Sequence, residues 1–212
     1  MSTKSIYFIR HFEAMHNIEP WNHQLHDPEL SPVGQLQAPS TIERVEQIEQ
    51  IDLVVCSPMT RTLQTYLNIF RGNDTIHHRL SKIPLIIHPD AQEILEKPCD
   101  TGRPIVELRE KFPILINELN KFETMFAGFE WLNKSDPSNL YHPQRIHERI
   151  LRLLRWLVER PEKSIVVISH GLLIKEIFRR QGQDVHLSNG AVYKAEYSTD
   201  VSLLNNASGI FS

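Results

Sequence analysis

The sequence predicts an α/β fold in three layers, with helices on both faces of a mostly parallel central sheet. Two observations predict it. Four short apolar runs, Ile6–Ile9, Asp52–Cys56, Pro84–His88 and Ser164–Ser169, read as strands buried on both faces. Between them lie segments with helical spacing, so strand and helix alternate nearly throughout, which implies parallel pairing.

The first strand, Ile6-Tyr7-Phe8-Ile9, consists of β-branched and aromatic residues and runs directly into Arg10, His11, Phe12 and Glu13. Residues 14–32 are polar and irregular, and a long loop this early in a compact domain points to function. Ser31 and Pro32 suit the N-cap and first position of a helix, and Pro39 restarts that helix before the stripe Ile42, Val45, Ile48. The second strand ends in Ser57-Pro58-Met59-Thr60-Arg61; Ser57 can cap a helix to about Phe70 that carries Arg61 in its first turn. Residues 71–82 read as loop, and residues 90–104, with two prolines, a glycine and four carboxylates, as loop around a short strand or turn.

A helix is expected over about 104–111, followed by weakly patterned sequence to Trp131. Residues 134–139 form the most polar run and read as a surface loop. The clearest helix covers about 142–160, with Ile146, Ile150, Leu153, Leu154, Leu157 and Val158 inward and Glu148, Arg149, Arg152, Arg155 and Glu159 outward. The fourth strand ends at His170-Gly171 and leads into a helix to about Arg180; Asn189-Gly190 marks a turn before a last strand at 192–197.

The bulk numbers exclude several classes. A length of 212 residues suits one domain spanning 1–212 and needs no staples. A net charge of −3 argues against a whole-surface nucleic-acid binder, though it leaves room for a local positive pocket. No stretch approaches the ~18 apolar residues of a membrane span. Two cysteines, Cys56 and Cys99, fit a reducing compartment, and no signal-peptide pattern opens the chain. A cytoplasmic protein, or one entering the nucleus passively, is expected.

Function is concentrated at three strand ends. In a doubly wound sheet the carboxyl ends of the strands share one edge, where ligands bind. Arg10-His11, Arg61 and His170 would converge there, two guanidinium and two imidazole groups suited to an anion with several acceptor oxygens, phosphate above all. The plain alternative for Arg10 and His11 taken alone is a strand ending in a solvated loop.

The segments Arg10 to Asn17, Leu30 to Ala38, Ser57 to Thr65 and Val167 to Gly171 resemble the histidine phosphatase superfamily (phosphoglycerate mutase-like). They follow the family's order and cover residues 6 to about 197. Residues 92–102 and Arg160 to Lys163 look most like its small fungal and plant phosphomutase-like branch. The resemblance implies a phosphoglycerate mutase-like fold and a phosphatase working without metal or other cofactor on a small phosphorylated metabolite through a phosphohistidine. Other readings are a phosphomutase or a weakly catalytic binding module that kept the fold. It also implies roles: His11 as nucleophile, Arg10, Arg61 and His170 on the phosphoryl oxygens, Asn17 assisting, and Glu93 as proton donor, with Glu96 its rival. A neutral imidazole can attack phosphorus in line, and a desolvated carboxyl group can stay protonated for the leaving alkoxide.

Where the family usually has Gly, this chain has Phe12, which would be strained if the position required positive φ. His16, His23 and His26 match no zinc spacing and read as loop or rim residues, His77-His78 as a solvated pair, and Cys99 as an inert buried thiol. Trp131 and Trp156 read as core or rim residues. Arg103, Arg109 and Lys111 either flank the pocket or form a solvated face. Loops near 14–30, 96–111 and 125–142 are expected to set the substrate. The sequence carries no signal for an oligomeric state.

Overall fold

The computed structural model describes residues 3–72 and 77–200, with the backbone alone for 77 and 78. Its five-stranded sheet has the order β3-β2-β4-β1-β5, with β1 Thr3–Arg10, β2 Leu53–Cys56, β3 Leu85–Ile87, β4 Ser164–Ser169 and β5 Val192–Ser198. The first four run parallel, and β5 lies antiparallel on the outer edge of β1. Eight helices connect and cover the described strands: α1 Pro32–Gln35, α2 Ala38–Glu46, α3 Thr60–Phe70, α4 His77–Leu80, α5 Ile105–Lys111, α6 Ile116–Met125, α7 Ile146–Glu159 and α8 Gly171–Arg179.

Strand periodicity divides the core into two layers. Val54, Cys56, Val166 and Ile168 face a cluster with Leu63, Tyr66, Ile69 and Phe70 of α3 and Leu119 and Phe122 of α6. Their neighbours Leu53, Val55, Ile165 and Val167 face Ile150, Leu153 and Leu157 of α7 and Leu173, Ile174 and Ile177 of α8. Both faces of β4 are thus fully buried, which is why its sequence is an unbroken apolar run. Helices flank both sides, and the three-layer expectation holds.

Ser31 caps α1 as expected, accepting from Gly34 N–H at 2.9 Å, while its own hydroxyl donates to Glu13 at 2.5 Å. Gly34 is required there, since a Cβ would sit 1.9 Å from the Glu13 carbonyl oxygen. The Leu30 to Ala38 segment therefore braces the loop that follows His11. Gln37 adds an acceptor for Glu13 N–H at 2.8 Å, and Ser31 N–H donates to the Glu13 carbonyl at 2.9 Å.

Four expectations need correction. Ser57 does not cap α3: Asp27 does so from across the chain, accepting from Thr60 N–H at 3.0 Å and from its hydroxyl at 2.6 Å. Within residues 71–82, His77–Leu80 form a helical turn; the side chains of His77 and His78 lie outside the described residues. The weakly patterned stretch before Trp131 holds α6, whose buried stripe is narrow (Leu119, Phe122) while Ile116 and Met125 stay exposed. Finally, Lys134 and Arg149, placed at the surface by pattern, are both buried.

Candidate active site

β1, β4 and β2 reach the carboxyl edge side by side, with Arg10 opposite Ser169 and Cys56 opposite Ile168. The ladder continues one residue further, His11 N–H donating to Ser169 O at 2.9 Å and Ser57 N–H to Ile168 O at 3.1 Å. The rings of His11 and His170 therefore emerge together, their centroids 5.2 Å apart.

The His11 ring is fixed by its own backbone. Nδ1 lies 2.6 Å from the Phe12 carbonyl oxygen, which can only accept, so Nδ1 carries the proton and Nε2 the lone pair. Arg61 donates from Nε to that Nε2 at 3.2 Å. Burial first, then Arg61 and Arg10, holds the His11 pKa well below the usual imidazole range, leaving the ring neutral. Arg61 is fully buried and further oriented by the Cys99 carbonyl at 2.7 Å and the Asp100 carboxylate at 3.5 Å. Arg10 donates to the Leu187 carbonyl at 2.5 Å, while its buried Nε has no partner among the described residues.

His170 meets the Ser57 hydroxyl at Nε2, 2.9 Å away, and its buried Nδ1 has no partner among the described residues. Burial, then Arg61 and His11, lowers its pKa well below the normal value. Asn17 accepts from Ala14 N–H at 3.1 Å and donates to His16 Nε2 at 3.1 Å. His16, 6.0 Å from the His11 ring, is pushed down to about 3 by burial and then by Arg61.

Glu93 faces the N-terminus of α8, accepting from Leu172 N–H at 3.2 Å and Leu173 N–H at 3.1 Å. Those bonds favour the carboxylate. Burial opposes them and wins, with Asp100 adding to it, so the Glu93 pKa is raised. Its loop is held from behind by two buried cations. Lys134 donates to the carbonyls of Glu93 at 2.7 Å, Leu95 at 3.2 Å and Asp100, and Arg149 to those of Gln92 and Glu93 at 3.0 and 3.3 Å.

These groups surround a cavity of about 400 Å³, with Arg10, His11, Asn17 and Glu93 among its lining residues and Arg61 and His170 beside His11. All six residues named from the sequence are brought together. Glu96 is exposed and outside the lining, which separates it from Glu93. Phe12 shows no strain: Asp27 alone among the described non-glycine residues has positive φ, and the Phe12 ring packs in the core while its N–H donates to Thr65 at 3.1 Å.

Arg103, Arg109 and Lys111 do not flank the cavity; they pair with Asp27 and Glu107, with Glu123, and with Glu29. The wall cations are Lys97 and Lys175. Of the three loops expected to set the substrate, 125–142 contributes nothing to the lining; the start of α8 and residues 185–187 take its place. His23 lines the cavity, whereas His26 bonds the Gly102 carbonyl at 3.1 Å. Cys99 is buried, its thiol pushed up to about 11 by burial, as an inert cysteine should be. Trp131 is core; Trp156 is half-buried on α7. Sequence reasoning missed Ser57 as a partner of His170, although the residue was in view as a cap. It also missed Lys134, which no pattern marks.

Among the described residues no helix is long and apolar enough to cross a membrane, and no cluster of three or more His, Cys, Asp or Glu could hold a metal ion. Comparison with known proteins supplies the family and the fold. The chain is 22% identical over 227 residues to an Arabidopsis thaliana phosphoglycerate mutase-like protein, covering 88% of this chain and 81% of the relative. It is 28% identical over 174 residues to a probable phosphatase of Schizosaccharomyces pombe, covering 81% and 76%. The crystal structure of a phosphoglycerate mutase from Bacillus anthracis shares the fold, with a TM-score of 0.59 at 17% identity over 98% of this chain and 97% of that one. The sequence model of the histidine phosphatase superfamily (branch 1) matches residues 6–206. A match that begins inside β1 and runs past β5 leaves no part of the site outside it, and the chain belongs to that superfamily.

Proposed function

We propose that this chain is a single-domain phosphatase that hydrolyses a phosphomonoester of a small metabolite through a phosphohistidine on His11, without a cofactor. The observation that carries this reading is the His11 tautomer. With Nδ1–H pinned to the Phe12 carbonyl, Nε2 keeps the lone pair and serves as the nucleophile once Arg61 Nε, which donates to it here, turns to the phosphoryl oxygens; Arg10 is the second guanidinium suited to them.

In the first step the Nε2 lone pair forms the N–P bond as the P–O bond to the alcohol breaks, and Glu93 delivers its proton to the departing oxygen. Charge on the equatorial oxygens meets Arg10, Arg61 and the unpartnered Nδ1 of His170, with Asn17 assisting. Nδ1–H stays on the Phe12 carbonyl, which stabilises the positive charge gained by the phosphorylated ring. In the second step Glu93, now a carboxylate, takes a proton from water as the water oxygen attacks phosphorus. The N–P bond breaks and its electron pair returns to Nε2. The phosphatase name of the S. pombe relative agrees with this outcome.

The test is release of phosphate from p-nitrophenyl phosphate and a metabolite panel, with EDTA present, by wild type and His11→Ala, together with acid-quench trapping of an acid-labile phosphoprotein. EDTA-resistant, His11-dependent release supports the phosphatase. Exchange of phosphate between substrates without release identifies a mutase, and silence in both proteins a binding module.

A further inference from the structure

Beyond the phosphoryl-binding floor, the cavity walls repeat one pairing. The loop after β1 contributes Trp21 and His23, the loop after β3 Leu95 and Lys97, the start of α8 Leu172 and Lys175, and the segment before β5 Leu187 and His186. Each wall thus pairs a large apolar side chain with a nitrogen base one to three residues away. Trp21 and Leu172 are 66% and 42% exposed, so apolar surface stands open at this cavity. The two carboxylates in the lining, Glu93 and Asp100, are buried and engaged, the first with α8 N–H groups and the second with Arg61. Lys175 comes within 3.7 Å of Asp184, but both side chains are more than half exposed, so water screens the pair and the ammonium stays available. Against a chain charge of −3, this concentration of bases is local rather than compositional.

A cavity of about 400 Å³ is large enough to enclose a leaving group as well as a phosphoryl group. We propose that the preferred substrate is a phosphomonoester whose alcohol half joins an apolar, ring-sized body to a second anionic group. The body packs against Trp21, Leu95, Leu172 and Leu187 while the second charge meets Lys97 or Lys175. This rests on the cavity being a phosphomonoester site and adds the chemistry of the alcohol.

Four esters separate the two features: benzyl phosphate, 4-carboxybenzyl phosphate, glycerol 3-phosphate and 3-phosphoglycerate. The expected order of kcat/KM places 4-carboxybenzyl phosphate first. Its lead is about tenfold over benzyl phosphate for the charge and about tenfold or more over 3-phosphoglycerate for the apolar body. The double variant Lys97→Met, Lys175→Met should bring the ratio of carboxybenzyl to benzyl ester close to one, and Trp21→Ala should shrink the lead over 3-phosphoglycerate. Equal or faster turnover of glycerol 3-phosphate or 3-phosphoglycerate by the wild type overturns the proposal.

Binding of the matching phosphonates, measured by calorimetry on wild-type protein, keeps the two levels apart. The same rank order without turnover of any ester retains the substrate class and rejects the phosphatase. Turnover without the rank order does the reverse, and absence of both turnover and phosphonate binding rejects both.

Discussion

Three parallel strands of this sheet are followed by a histidine, and the histidines stand in different surroundings. His11 and His170 follow β1 and β4, central neighbours, and their rings meet 5.2 Å apart beside Arg61. His88 follows β3 at the sheet edge. Its ring lies 4.5 Å from Trp156 and 4.7 Å from Phe126 by centroid, and its Nδ1 accepts from Asp90 N–H at 3.1 Å. All three are buried and all three have lowered pKa values, so neither burial nor titration distinguishes them. What differs is the company of the ring: guanidinium groups and an open cavity for His11, aromatic carbon for His88. A strand-end histidine is a candidate nucleophile only where a neighbouring strand delivers a second polar group to the same point.

The largest effect that could break this comparison belongs to His11. His11→Ala and His11→Asn should lower kcat on the order of 10⁴-fold or more, with circular dichroism unchanged. An active His11→Asn protein would erase the distinction from His88. Next comes Glu93→Gln, expected to lose about 10²–10³-fold, less for activated leaving groups such as p-nitrophenol, which need no proton. The pH profile gives the sign. As the proposed proton donor, Glu93 would act only while protonated, and its pKa is raised, so wild-type kcat should fall as pH rises through that value. Glu93→Gln should lack this alkaline limb.

Smaller effects sharpen the contrast between groups proposed to touch substrate and groups that hold them in place. Lys134→Met strips an ammonium from three carbonyls of the loop carrying Glu93 and Asp100. A drop of several degrees in Tm and about tenfold in kcat is expected, KM changing little. Wild-type Tm and kcat in this variant would show that the staple is idle. His88→Asn should leave kcat/KM within about twofold, because an Asn oxygen can still accept from Asp90 N–H, while stability falls by about 1–3 kcal/mol for lost ring packing. His88 is held down to about 4 by burial, against an ordinary imidazole value of 6.5. The folded state therefore binds fewer protons there, and stability is lost as pH falls from 6.5 toward 4. Urea midpoints measured across that window should fall less steeply in the variant. A tenfold loss of activity in His88→Asn would place that histidine in the mechanism.

Much of the site was legible because its residues sit at the ends of strands that are themselves legible. An unbroken apolar run such as Ser164–Ser169 announces a central parallel strand, and the parallel rule then brings Arg10, His11, Arg61 and His170 to one edge. Lys134 and Arg149 were unreadable for a related reason. A cation in a polar run, or on the charged side of a helix, looks solvated until the carbonyls that receive it are known, and those carbonyls belong to residues 92–100, far away in sequence. α6 was missed because two of its apolar residues face solvent, blurring the period on which a helix assignment depends.

The sequence by itself determined the layered α/β architecture and the strand ends that meet at the candidate site, because periodicity and strand-end position are local properties, and its motif segments in order carried the resemblance to the family. Tertiary structure decided which histidine proton sits where, that Glu93 rather than Glu96 lines the cavity, which lysines form its walls, and that Phe12 fits without strain. Those outcomes depend on contacts between segments tens of residues apart, and burial, charge and hydrogen bonding act through distance in space, which the order of residues does not contain.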